Sequence, residues 1–185
     1  MTGAARAVYP VGMEQAEREL DRRTTRTRKA ICDALTRLIF TRRYTSIRTA
    51  ELIAEADVGR STFYEHFRSK DDVLIAVIDP IFAPLAQAAT GQGSDASLTF
   101  TLEHLWEQRA MARMLFEPGL LSKLQRKLAG MIEARMPVQA EDHAPNAMVA
   151  MGVATGQLAI LRMWLTGEVA CPARTLARHL RREMA

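Results

Sequence analysis

An all-α chain, a small N-terminal helical unit followed by a larger one, is what three features of these 185 residues predict. Ala, Leu, Met and Arg are plentiful and aromatics make up only 6%, a mixture that favours helix. Alternating Val/Ile/Thr runs bounded by turn signals are missing, so no sheet is expected. Apolar residues recur instead at helical spacing, beginning with Ile31, Leu35, Leu38 and Ile39 at i, i+4, i+7 and i+8.

Those four positions define a first amphipathic helix over residues 22–40. Residues 1–21 contain only Val8, Val11, Met13 and Leu20 as larger aliphatics, too few for a signal-peptide core, and read as a mobile tail, with a helical extension packing on the body as the alternative. The stretch "TRRYTS" (41–46) breaks the pattern, and Thr45 or Ser46 is expected to cap a short second helix with Leu52, Ile53 and Ala56 on its apolar face. "DVGR" (57–60) then makes a tight turn into a third helix. Phe63 and Phe67, four apart, lock that helix onto the first two and have no role of their own beyond packing.

Ser69 in "SKDD" (69–72) is placed to cap a fourth helix, with Asp72 at the capping-box position and Val73, Leu74, Val77 and Ile78 following. Pro80 and Pro84 are expected to interrupt or kink it. "TGQGSD" (90–95) is a loop, and helical patterns follow at 96–117, 119–136, 145–166 and 172–183. The domain reading is a tail at 1–21, a unit of three short helices at 22–70 and a larger helical unit at 71–185.

Charge is unevenly placed. Residues 22–70 hold 12 Lys/Arg against 5 Asp/Glu, whereas residues 71–185 hold 11 against 12. A basic footprint confined to about a quarter of the chain suits a polyanion. Three short helices with a tight turn before the third match a helix-turn-helix, whose third helix enters the major groove with its N-terminal residues on base edges. With Phe63 and Phe67 turned inward, Arg60, Ser61 and Tyr64 must point outward. Arg60 can fork onto guanine, while Ser61 and Thr62 are adaptable donors. Tyr64, His66 and Lys70 suit the sugar-phosphate backbone.

Residues 26–78, above all "STFYEHFRSKDDVL", resemble the N-terminal domain of TetR-type transcriptional repressors. That resemblance implies operator contacts at Arg60, Ser61, Thr62, Tyr64, His66 and Lys70. Two departures stand out. Asp57 occupies the place where the family usually has Gly in the turn, and Gly59 offers the third helix no side-chain cap, so Asp57 is expected to compensate. Arg48 stands where the family often has Thr at the start of the second helix, and reaches the same phosphate from further away.

"VATGQLAILRMWLTGEVACPARTLARHL" resembles more loosely the family's last two helices, which form a four-helix dimer interface. Physical reading agrees, because Gly152 and Gly156 make a small-xxx-small face continued by Ala159 and Met163. Leu176 and Leu180 extend the expected interface onto the final helix. Family resemblance also implies a small apolar effector, for which His104, Met111, Met114, Met131 and Met151 are candidate pocket residues, Met being adaptable to irregular apolar shapes. Plain core packing is the alternative for each.

The implied protein is a cytoplasmic homodimer on a palindromic duplex, a repressor first and an activator of the same fold second. A nonspecific nucleic-acid binder or adaptor is the competing class. Nucleophile elbows, Walker-type loops and HExxH are missing, so an enzyme is not expected. Neither a cofactor nor a metal is expected: Cys32 and Cys171 lie far apart without ligand spacing, and "EDHAPN" (141–146) reads as a solvated loop. The apolar run 147–161 has 15 residues before Arg162. That is about 22 Å of helix against a bilayer core of ~30 Å, so it reads as a buried helix.

Overall fold

A computed structural model describes residues 11–116, 118–137 and 144–182, and among these every regular element is helical. In order they are α1 (Val11–Thr41), a 3₁₀ turn (Tyr44–Ser46), α2 (Thr49–Glu55), α3 (Arg60–His66) and α4 (Lys70–Ala89). There follow α5 (Asp95–Glu107), α6 (Arg109–Ala112) with a 3₁₀ turn (Arg113–Phe116), α7 (Pro118–Glu133), α8 (Asn146–Thr166) and α9 (Ala173–Arg182).

α1 begins eleven residues before the expected start, so residues 11–21 are helix rather than tail. Their content of Glu, Gln, Ala, Arg and Leu explains it, since these are strong helix formers even where no apolar stripe announces a helix. Further along, Ile31, Ala34, Leu35, Leu38 and Ile39 are buried against α2, α3 and α4. Leu52 of α2, Phe63 of α3 and Phe67 just beyond it complete the small core.

α4 runs through both prolines without a break in helix. Each Pro removes one backbone bond and costs roughly 3 kcal/mol in a helix interior. Against this, Val73, Leu74, Ile78, Phe82, Leu85, Ala86, Ala88 and Ala89 are all buried along α4, and their packing outweighs the penalty. The division expected at residues 70 and 71 therefore cuts the first turn of a helix that packs on α1 before that boundary and on α5, α7 and α9 after it. The buried residues form one continuous cluster from Ile31 to Leu180.

The long helix expected over 96–117 stops at Gln108, whose N–H still bonds the His104 carbonyl, and resumes as two short turns. α8 ends at Gly167, whose φ of +81° supplies the left-handed cap that other residues adopt only with strain. By length and composition α4 and α8 are each apolar enough to cross a membrane. Both pack into the core instead, α8 through Ala150, Ala154, Leu158, Leu161, Trp164 and Leu165.

Candidate nucleic-acid interface

α3 is seven residues long and cannot hold its own shape in water, so its placement is tertiary. Phe63 is fully buried, and its ring lies 6.2 Å from that of Phe67. Arg28 of α1 secures the other end. Its Nη1 donates to the His66 carbonyl at 3.0 Å, and its guanidinium sits 4.4 Å from the centre of the Phe67 ring. Arg37 does the same for α2, pairing with the Glu55 carboxylate at 2.7 Å and donating to the Glu55 carbonyl. Part of the basic charge of α1 thus caps the C-terminal ends of the two helices packed on it.

The outward face of α3 carries Arg60, Ser61 and Tyr64, all exposed, with Thr62 half-buried. Arg60 lies 5.8 Å from the Tyr64 ring centre, so the two side chains share one patch. His66 is half-buried at the last turn. Arg48 is the residue preceding α2, and its backbone N–H donates to the Glu51 carboxylate at 2.8 Å. That carboxylate is held below its ordinary range, first by this backbone bond and then by the Arg48 and Arg42 side chains. Arg48 takes the capping position expected of Thr45 or Ser46, which lie instead in the 3₁₀ turn. Its side chain is 81% exposed, and Arg43 is exposed nearby in sequence.

Lys70 is placed differently from the sequence expectation. Its Nζ donates to the carbonyls of Tyr44 at 2.9 Å and Ile47 at 2.5 Å and lies 4.5 Å from the Tyr44 ring centre. It is half-buried, and burial pulls its pKa down. Such a lysine braces the turn before α2 rather than reaching outward. The capping role of Ser69 appears as expected, with Ser69 Oγ accepting from the Asp72 N–H at 3.2 Å. Asp72, however, accepts from the Arg68 N–H at 2.9 Å, one residue earlier than a capping box requires.

In the turn, Asp57 adopts a φ of +52°, the left-handed conformation for which Gly is suited. Gly59 precedes α3 with an extended backbone and no side-chain cap. Among the described residues the Asp57 carboxylate makes no bond to the start of α3, so it does not compensate.

Elsewhere the expected sites divide. Gly152, Ala159 and Met163 are exposed along α8 and Gly156 is half-buried beside them, whereas Leu176 and Leu180 are buried in the subunit's own core. The last two are therefore unavailable as surface, because the amphipathic face of α9 is needed against α5 and α4. The candidate pocket does not assemble: His104 is exposed on α5 near Glu107, Met151 is exposed on α8, and Met131 borders a groove with Asp79, Arg126, Lys127 and Arg135. The side chains of Met111 and Met114, and Glu141, Asp142 and His143 of "EDHAPN", lie outside the described residues.

Sequence reasoning passes over Tyr44, Asp71 and Lys123. Tyr44 is buried beneath the head, and its hydroxyl donates to Asp71 Oδ1. Lys123 of α7 donates to Asp71 Oδ2 at 2.5 Å. The only trace in the sequence is an aromatic directly after a basic pair.

Comparison with known proteins converges on the same segment. Residues 31–77 match the family model of bacterial regulatory proteins, tetR family. An HTH-type transcriptional regulator, EthR of Mycolicibacterium smegmatis, is 35% identical over 81 residues, 44% of this chain and 36% of that protein. The uncharacterized HTH-type transcriptional regulator YxbF of Bacillus subtilis is 29% identical over 68 residues, 36% of this chain and 18% of that protein. The chain thus spans well under half the length of these relatives in the matched region. A TetR transcriptional regulator from Streptococcus agalactiae 2603V superimposes with a TM-score of 0.55 at 22% identity, covering 91% of this chain and 98% of that one, a likeness of fold. The segment with the locked third helix and the outward Arg60, Ser61 and Tyr64 is thus the one that is similar to the tetR family of bacterial regulatory proteins, over residues 31–77.

Proposed function

We propose that this protein is a sequence-specific DNA-binding transcriptional regulator of the cytoplasm, acting as a homodimeric repressor on a palindromic operator. The observation that carries the reading is the outward set Arg60, Ser61 and Tyr64 on a helix fastened from behind by Phe63, Phe67 and Arg28. Donors on a rigid helix end are what reading of base edges in a major groove requires. Arg48 and Arg43 flank them as phosphate contacts, with Thr62 and His66 at the edges of the same patch.

Dimerisation through α8 fits the exposure of Gly152, Ala159 and Met163, small or apolar side chains in a row. A two-fold dimer presents its reading helices about one duplex turn (~34 Å) apart, which matches an inverted repeat. A small effector, apolar but for one hydrogen-bond donor, would find its polar contact at Gln157. This side chain is fully buried, its Nε2 donates to the Leu85 carbonyl at 3.1 Å and its Oε1 has no partner. A buried acceptor without a donor costs about 1–3 kcal/mol, which a ligand donor recovers.

Titration with an inverted-repeat duplex taken from the gene's own upstream region, against scrambled duplex at fixed salt, tests the reading. Arg60→Ala should weaken the cognate complex by about 1–3 kcal/mol and the scrambled one much less. Equal losses on both duplexes would make Arg60 a phosphate contact, and equal wild-type affinities would make the protein a nonspecific binder.

A further inference from the structure

α7 lies wholly outside residues 31–77, yet it reaches into the head. It packs on α4 and α8 and also touches the 3₁₀ turn of Tyr44. Lys123 and Lys127, one turn apart on α7, pair with Asp71 at 2.5 Å and Asp79 at 2.8 Å, two turns apart on α4. The upper rung continues into the head. Asp71 Oδ2 accepts from Lys123 while Oδ1 accepts from the Tyr44 hydroxyl, so one carboxylate joins the C-terminal body to the base of the reading unit. Lys70 and Lys123 lie 4.5 Å and 5.8 Å from the centre of the Tyr44 ring, so two cations stand near it.

Burial works to raise the Asp71 pKa, but bonds from Lys123 and Tyr44 and the charges of the two lysines outweigh it. The carboxyl therefore sits below its ordinary range and stays ionised. Burial and the Asp71 contact push the Tyr44 phenol upward, so it remains a donor.

We propose that Lys123 is a positioning residue for DNA binding: acting through Asp71 and Tyr44, it sets the angle of the reading head on the α7–α8 body without touching DNA itself. The geometry separates this role from folding. Side chains of Lys123 and Asp71 are each about two-fifths exposed, 42% and 41%, and pairs so exposed contribute little to stability. Head orientation is a different quantity. Two heads must meet two half-sites at once, and a loosened head lowers the effective concentration of the second contact.

The proposal rests on the two-headed DNA-binding reading above, and the experiment distinguishes failure of either. Wild type, Lys123→Met, Lys123→Gln and Lys123→Arg are titrated on a full inverted repeat, a single half-site and repeats with altered half-site spacing. Wild type that prefers no inverted repeat to scrambled duplex overturns the functional reading itself. Given that preference, Lys123→Met and Lys123→Gln should lose about tenfold or more on the full site, bind the half-site as wild type does, and tolerate altered spacing better. Lys123→Arg, which keeps a cation within reach of Asp71, should restore most of the loss. Unchanged full-site affinity and spacing preference in both uncharged variants would overturn the proposal. So would equal losses on half and full sites, which would place Lys123 on a phosphate or in the fold, and so would failure of Arg to rescue. Half-site affinity reports that the head is folded, and Gln, nearer lysine in polarity, covers the case in which Met disturbs α7.

Discussion

The Lys70 ammonium donates to the Ile47 carbonyl at 2.5 Å across 23 residues of sequence, tying the first residue of α4 to the last residue before the α2 cap. Together with its bond to the Tyr44 carbonyl, this makes Lys70 a brace of the turn that presents Arg48. Lys70→Ala should therefore lower unfolding free energy by about 1–3 kcal/mol, the range for bonds from a charged donor. Its salt slope for DNA should stay unchanged. Arg48→Ala should do the reverse, reducing the slope by about one unit while stability moves within about 0.5 kcal/mol. Urea melts and salt titrations on both variants check this, and a lowered slope for Lys70→Ala would return that side chain to the phosphate backbone.

Arg28 offers a second measurement. Loss of its bond to the His66 carbonyl and of its contact with the Phe67 ring should cost about 1–2 kcal/mol in Arg28→Ala. Lys at this position should recover only part, since it lacks the flat guanidinium that stacks and donates at once. Thermal unfolding of the three proteins at one pH is sufficient.

Asp57 at a φ of +52° carries strain that glycine does not. A left-handed backbone costs an L-residue roughly 1–2 kcal/mol, and glycine loses about 0.5–1 kcal/mol of that advantage through the entropy of its unfolded chain. Asp57→Gly should stabilise the protein by roughly 0.5–1 kcal/mol. Removal of a carboxylate beside α3 should also tighten DNA binding at low salt and less so at high salt. A variant that melts earlier than wild type would show that the Asp57 side chain supports the turn after all.

Gly152 faces open space within the subunit, where an added Cβ would meet nothing within 4 Å. Gly152→Leu should leave the monomer fold intact and hold a partner helix away. Sedimentation should show loss of the dimer, and affinity for a full inverted repeat should fall toward that for one half-site. A dimer of wild-type strength would move the interface off this face of α8.

Helix content, the order of elements and the segment that matters were all legible in the sequence, because each rests on local pattern. Periodic apolar residues from Ile31 to Ile39 mark a buried face wherever the helix lies. Phe63 buried and Tyr64 exposed, adjacent in sequence, follow from the helical period alone. Less visible were the extent of α1, whose first turns have propensity without a stripe, and the persistence of α4 through Pro80 and Pro84, which depends on neighbours that offset the lost bonds.

Composition and spacing by themselves determined an all-helical chain, a basic N-terminal quarter and a third helix whose outward residues are donors. Tertiary structure alone decided how each cation is used. Lys70 looks in sequence like a DNA contact, and Arg28 and Arg37 are part of the basic footprint, but folding brings carbonyls, a carboxylate and rings against them, and they hold the head together. Leu176 and Leu180 look like interface and are core, since only the packed positions of α4 and α5 show which side of α9 is already covered. The Tyr44–Asp71–Lys123 link spans residues 27 and then 52 apart. A helical period reports which side of a helix is apolar; it carries no information about which distant charge will lie opposite, because that depends on the angles at which helices cross.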